Sequence, residues 1–206
     1  MNSEQLIQLL NNMADIIIEN KENLNDLDRA IGDADHGINM TRGFTEVKLK
    51  LEGLHGKDPS TILKTVAMAL ISTVGGASGP LYGTAFMKAA GVVAGKETIE
   101  GEDLIPIYEE VIEGIKARGK SDKGCKTMLD ALIPAYEAYK ETYESSGDFK
   151  VAAAAAEQAA FRGAEYTKEI IATKGRASYL GERSIGHADP GATSSHLLIK
   201  TIAIFD

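Results

Sequence analysis

Residues 58–84 read DPSTILKTVAMALISTVGGASGPLYGT, and this stretch decides the fold class. Asp58 followed by Pro59 is a helix start, a capping carboxylate and then a proline at the first helical position. Ile62, Leu63, Val66, Met68, Ala69, Leu70 and Ile71 then recur mainly at three- and four-residue steps, which predicts a helix over 58–74. The run stops at Gly75-Gly76. Four glycines, a serine and a threonine fill residues 75–84 before a second apolar helical run begins. Helix, glycine-rich connection, helix is the unit from which the rest of the chain is built.

The same periodicity predicts helices over 3–20, 103–118, 127–145, 149–173 and 192–204, with a kink at Pro134. Alanines in VAAAAAEQAAF, residues 151–161, favour helix and permit close packing. Alternating strand patterns are almost absent. The segments 32–37, 75–83, 119–124 and 175–191 are short or glycine-rich, and no repeat or composition shift divides the chain. The expectation is one all-α domain, residues 1–206, of about eight helices.

Bulk properties narrow the function. The chain has 206 residues, 44% apolar and 25% charged, with a net charge of −8. It lacks a dense basic run, which argues against a nucleic-acid partner. An acidic protein that binds a phosphorylated molecule needs local help from a metal, helix N-termini or a few cations. One cysteine, Cys125, permits no internal disulfide and fits a reducing cytoplasm. The first residues lack a basic start and a cleavage site, and no apolar run is long enough for a membrane span.

Chemistry concentrates in the connections. LDRAIGDADHGINM, residues 27–40, puts Asp28, Asp33 and Asp35 within eight residues, around Gly32. Two carboxylates about 4 Å apart repel by roughly 4 kcal/mol at an effective dielectric near 20. Either the side chains point apart in a solvated turn, or something offsets the repulsion, and three carboxylates at a turn suit Mg²⁺. A calcium EF-hand is excluded, since Gly37 and Phe44 fall where ligands are required. GGASGPLYGT can turn several amides and a hydroxyl toward a phosphate, or simply connect two close-packed helices. GRASYLGERSIGHADPGATS, residues 175–194, is a long loop carrying Arg176, Arg183, His187 and Asp189. His55 and His196 fall outside these loops and read as surface or helix-face residues. GIKARGKS, residues 114–121, matches a P-loop by letter, but it follows an amphipathic helix rather than a strand. Gly119 there reads as a helix end.

Taken in order and spacing, GDADHGINM, GGASGPLYGT, KTMLDAL and GRASYLGERSIGHADPGATS closely resemble the nucleotide-binding L subunits of dihydroxyacetone kinases. The resemblance implies an antiparallel barrel of eight helices with nucleotide held at one end by connecting loops. It places two Mg²⁺ ions on Asp28, Asp33 and Asp35. It places ADP or ATP on His36, Gly37, Ile38, Asn39, Ala77, Ser78, Gly119, Met128, Arg176, Asp189, Pro190 and Gly191, with Thr127 as a further candidate. It assigns no general base to this chain.

A chain of this length resembles the phosphotransferase-system version, in which bound ADP is recharged by a phosphohistidine protein. The phosphoryl group then passes to dihydroxyacetone on a separate K subunit. Two other readings stay open: a regulatory module whose nucleotide state a transcription factor reads, and a kinase that exchanges ATP with bulk for another substrate. Cys125 stands where the resembled family usually has Asp.

Overall fold

The structure is a computed structural model that describes residues 1–205. Nine α-helices and two 3-10 segments, with no strand, account for the regular structure of the described residues. The helices are α1 Ser3–Glu19, α2 Lys21–Ile31, α3 His36–Leu51, α4 Pro59–Thr73, α5 Ser78–Val92, α6 Leu104–Gly119, α7 Leu129–Ser146, α8 Phe149–Tyr166 and α9 Pro190–Ala203. None is long and apolar enough to cross a membrane.

Local chemistry sets most boundaries. Asn2 and Gln5 form a reciprocal capping box at α1. Asp58 accepts from the Thr61 amide at 3.0 Å and Asp148 from the Val151 amide at 3.1 Å, while Pro59 and Pro190 take the first helical turn. Gly147, at φ +65°, ends α7 in the left-handed conformation.

The order of packing closes on itself. Starting at α1, contacts run to α3, α4, α5, α6, α7, α8 and α9, and α9 returns to α1. Eight helices thus form a ring, with α2 packed on α1, α3 and α9. Most ring neighbours follow one another in the chain, and the ring helices alternate in direction, so that the N-termini of α3, α5, α7 and α9 lie at one end. Phe44, Tyr139, Met40, Ile17, Leu24 and Leu70 are fully buried inside. The alanines of α8, among them Ala152, Ala156 and Ala160, are buried against its neighbours. Gly163 lets α8 approach α7 closely, because a methyl group there would lie 2.0 Å from the Asp130 carbonyl. Asp130 is the residue whose carbonyl has no helical amide partner, since Pro134 sits four residues on.

Three boundaries differ from the periodicity, one of them the start of α7 at Leu129, two residues later than expected. The helix expected over 149–173 stops at Tyr166. Its last residues instead turn under the ring, where a buried ammonium takes the Thr167 and Ile170 carbonyls. The last helix begins at Pro190, two residues earlier than expected, because Asp189 caps it. Met68, assigned to the buried stripe of α4, is 56% exposed.

Not every glycine holds a close contact. Gly91 lies exposed in the last turn of α5, with open space where a side chain would go. Gly91→Ala is expected to raise stability by about 0.5 kcal/mol, from helix propensity and a less flexible unfolded chain. Thermal melts of the two proteins measure this.

Candidate functional site

Alternation of the ring gathers one set of helix ends. The N-termini of α3, α5, α7 and α9 and the C-termini of α2 and α6 border one cleft of about 300 Å³. A helix N-terminus carries a partial positive charge and, where no side chain caps it, unpaired amides. Four converge here, which gives the cleft a local positive potential although the chain carries a net charge of −8.

The aspartates lie at the rim. Asp28, in the last turn of α2, aims Oδ2 at the start of α3, accepting from the Asp35 amide at 2.9 Å and the His36 amide at 3.2 Å. Gly32 makes room, since a methyl group there would fall 2.1 Å from Asp28 Oδ1. Ala34 adopts φ +61°, a conformation that L side chains rarely take, and so reverses the chain between Asp33 and Asp35. As a result one carboxylate oxygen from each of Asp28, Asp33 and Asp35 lies within 4.8 Å of the others. On the opposite wall, Arg176 Nη2 reaches Asp33 Oδ2 at 2.9 Å. An all-oxygen donor set at a helix N-terminus, with part of its charge already offset, fits a hard divalent cation.

Behind the rim a hydroxyl network joins three helices. His36 Nε2 lies 2.9 Å from Ser194 Oγ, and its Nδ1 lies 3.3 Å from Ser78 Oγ. The Tyr82 hydroxyl sits 2.7 Å from Ser194 Oγ and 3.0 Å from Ser195 Oγ. Burial holds the His36 imidazole down at about 4, against the pull of the Asp28 and Asp35 carboxylates. The ring is therefore neutral at neutral pH, one nitrogen a donor and the other an acceptor. Burial also raises the Tyr82 hydroxyl to about 12. Leu81, Ile115 and Met128 supply an apolar wall.

The residues expected at a site fall mostly together. Asp28, Asp33, Asp35, His36, Asn39, Ala77, Ser78, Gly119, Met128, Arg176, Asp189, Pro190 and Gly191 all border the cleft, and so does Thr127. Gly37 and Ile38 lie outside its lining. Gly37 packs against α2, and Ile38 gives its amide to Asn25 Oδ1 at 3.0 Å while its side chain is exposed. Arg183 and His187 also lie outside it. The motif reading passed over Tyr82, Lys126 and Lys174, which border the cleft. Tyr82 lies within the glycine loop already singled out, whereas nothing near Lys126 marks it except the KTM triplet itself.

Asp189 caps α9, accepting from the Ala192 amide at 2.7 Å. Burial lifts its carboxyl to about 7, with Asp130 and Asp28 adding to the rise and Lys126 opposing it. Unfolded, the group titrates near 3.8, so between 3.8 and 7 the folded state holds the extra proton. Stability from this group therefore declines as pH rises through that window, by at most about 1.4 kcal/mol per pH unit. Asp189→Asn keeps a capping oxygen and removes the charge. In nucleotide-free protein its melting curve is expected to coincide with wild type near pH 4 and to lie increasingly above it toward pH 7. Parallel pH profiles would refute the assignment.

The fold and cleft define a class: an all-helical protein whose helix ring carries at one end a cleft lined by three carboxylates and four helix N-termini. Comparison with known proteins makes this specific. Residues 30–204 match the DAK2 domain, so the chain belongs to that family. It is similar over its length to the ADP-binding subunits, DhaL, of phosphoenolpyruvate-dependent dihydroxyacetone kinases. The Escherichia coli K12 subunit is 44% identical over 200 residues, 97% of this chain and 95% of that one. A Listeria innocua subunit is 48% identical over 196 residues, 95% and 93% of the two chains. The dihydroxyacetone kinase of C. freundii shares the fold, with a TM-score of 0.77 at 23% identity. That match covers 98% of this chain and 34% of the longer one. The same enzyme has been solved with AMP-PNP and Mg²⁺, at a TM-score of 0.74.

Proposed function

We propose that this chain is the nucleotide-carrying subunit of a dihydroxyacetone kinase of the phosphotransferase system. It keeps ADP, a phosphohistidine protein recharges that ADP in place, and the γ-phosphoryl goes to dihydroxyacetone on a separate K subunit. One observation carries the reading: three carboxylates at the start of α3 and the N-termini of α5, α7 and α9 border a single cleft. That pairing serves a metal-bound polyphosphate better than either half would alone. Relatives that the chain covers almost completely are named as ADP-binding subunits of this enzyme.

Asp28, Asp33 and Asp35 would hold the Mg²⁺, two ions in this reading. Bound Mg²⁺–nucleotide supplies the transferable phosphoryl group and neutralises its oxygens. The chain's own residues orient and screen. Amides at the starts of α5, α7 and α9 hold phosphate oxygens, and Ser78 adds a hydroxyl whose direction the neutral His36 sets. Arg176 places a guanidinium beside the acidic cluster. Leu81, Ile115 and Met128 offer the apolar surface an adenine ring requires. This reading assigns no general base to the chain and leaves the proton of the sugar hydroxyl to the partner subunit. Residues 1–206 would act as one cytoplasmic unit between its two partners.

Two experiments test this. Native mass spectrometry of the protein as purified should show one ADP with Mg²⁺. Mixing it with a K subunit, a phosphohistidine donor and dihydroxyacetone should yield dihydroxyacetone phosphate. A complete mixture that yields none would overturn the proposal.

A further inference from the structure

Lys126 is 1% exposed, although lysine is a residue that folded chains almost never bury whole. Its ammonium does not go to a carboxylate. It donates to the carbonyls of Thr167 at 2.5 Å, His187 at 2.6 Å and Ser184 at 2.7 Å, with Ile170 further off at 3.3 Å. Three protons meet three close acceptors, so the cation is satisfied without an anion. Hydrogen bonds from a charged donor are roughly twice as strong as neutral ones.

All four carbonyls belong to one segment, residues 167–189, between α8 and α9. This is the segment that carries Arg176 and Asp189. It runs through left-handed glycines at Gly175, Gly181 and Gly186, and regular helix does not support it beyond one kinked 3-10 stretch. Its other ties are Gly186 to the Lys168 carbonyl, Ala172 to Ser184 Oγ, Asp189 to Thr167 Oγ1, Thr173 to the Cys125 carbonyl, the Arg176–Asp33 pair, and a small apolar contact of Ala172 and Ala177 with Ile31. Lys126 joins the two ends of the segment to one point. That point lies one residue before Thr127 and Met128, at the start of α7. Lys126 itself takes φ +60°, a conformation usually left to glycine, asparagine or aspartate, which turns its side chain under the loop.

We propose that Lys126 is a positioning residue for the nucleotide. Its caged ammonium pins the 167–189 segment and so sets Arg176 and Asp189 at the cleft before a ligand arrives. This rests on the nucleotide reading of the cleft, but the staple can be tested separately. It acts through the segment and touches no reacting atom. A surface that must be assembled anew at each encounter holds a ligand less well than one already built.

The test uses the full chain with Mg²⁺ and N-methylanthraniloyl-ADP as the probe, followed by stopped-flow dissociation. Lys126→Ala is expected to release the probe about ten- to a hundredfold faster than wild type, as misplaced positioning groups do. Propylammonium, which replaces the lost atoms, should slow that release again, while a general loss of folding would not respond to it. A folded Lys126→Ala that releases the probe at the wild-type rate overturns the proposal. So does faster release that propylammonium leaves unchanged. Should the variant not fold, nucleotide-free wild type labelled with ¹⁵N-lysine decides. One ammonium signal with protons shielded from water exchange supports the staple, and its absence refutes it. Wild type that fails to bind the probe would sink the nucleotide reading instead, and the ammonium signal would still judge the staple.

Discussion

Asp33→Asn is expected to lose at least about a hundredfold in phosphoryl transfer, since altering even the partners of a metal's ligands costs ten- to a hundredfold. Its melting temperature should move by no more than about 2 °C, as for other exposed substitutions in a chain of this size. The separation follows from where the side chain sits. Asp33 is 36% exposed, and its one partner is Arg176, itself 69% exposed. Such a pair contributes about 0–1 kcal/mol to folding. Losing it is offset by removing one of three crowded negative charges.

Asp28 differs, because its carboxylate also accepts two amides at the start of α3. Asp28→Asn should therefore lose stability as well as transfer. Circular dichroism melts beside a coupled assay of dihydroxyacetone phosphate distinguish the two. Near-wild-type turnover by Asp33→Asn would remove Asp33 from the set of metal ligands.

Gly37→Ala should destabilise the protein by about 2 kcal/mol, within the range for overpacking, and lower the melting temperature by roughly 4–8 °C. Helix propensity argues the other way, favouring alanine inside a helix by about 1 kcal/mol. The contact decides the sign. A methyl group at Gly37 would lie 2.0 Å from the Lys21 carbonyl and 2.8 Å from Asn25 Oδ1, both on α2. The first is backbone, so relief requires α2 to move away from α3. α2 carries Asp28, and the movement would spread the three carboxylates. Calorimetry should show weaker binding of Mg²⁺–ADP together with the lower melting point. Gly91→Ala is the control: the same substitution in a helix with nothing opposite it should stabilise. Stabilisation at both positions would mean that α2 and α3 are not in close contact.

Local signals carried far. Asp58-Pro59, the stripe Ile62, Leu63, Val66 and the halt at Gly75-Gly76 state a helix and its limits, and the structure has α4 at Pro59–Thr73. These are short-range effects of capping, propensity and one-sided burial, so they survive without knowledge of neighbours. The aspartates were legible for the same reason. Asp28, Asp33 and Asp35 are close in sequence, and Gly32 between them permits the turn. Their pairing with Arg176 was not legible from spacing, since 143 positions separate Arg176 from Asp33. Periodicity likewise failed at the end of α8. EIIATKG continues an apolar pattern, but the Thr167 and Ile170 carbonyls are taken by Lys126, forty-odd residues earlier in the chain.

Gly37 shows the division within one residue. Its place in GDADHGINM marks it for the ligand, whereas in the fold it is the gap through which α2 meets α3. By itself, then, the amino-acid order determined an all-helical chain and the short segments where its chemistry resides. Only the tertiary structure decided that alternating helices bring four N-termini to the aspartate turn, and that a buried lysine ties the last loop beneath them. Hydrophobic spacing tells which face of a helix leaves water, but not which distant surface it will meet.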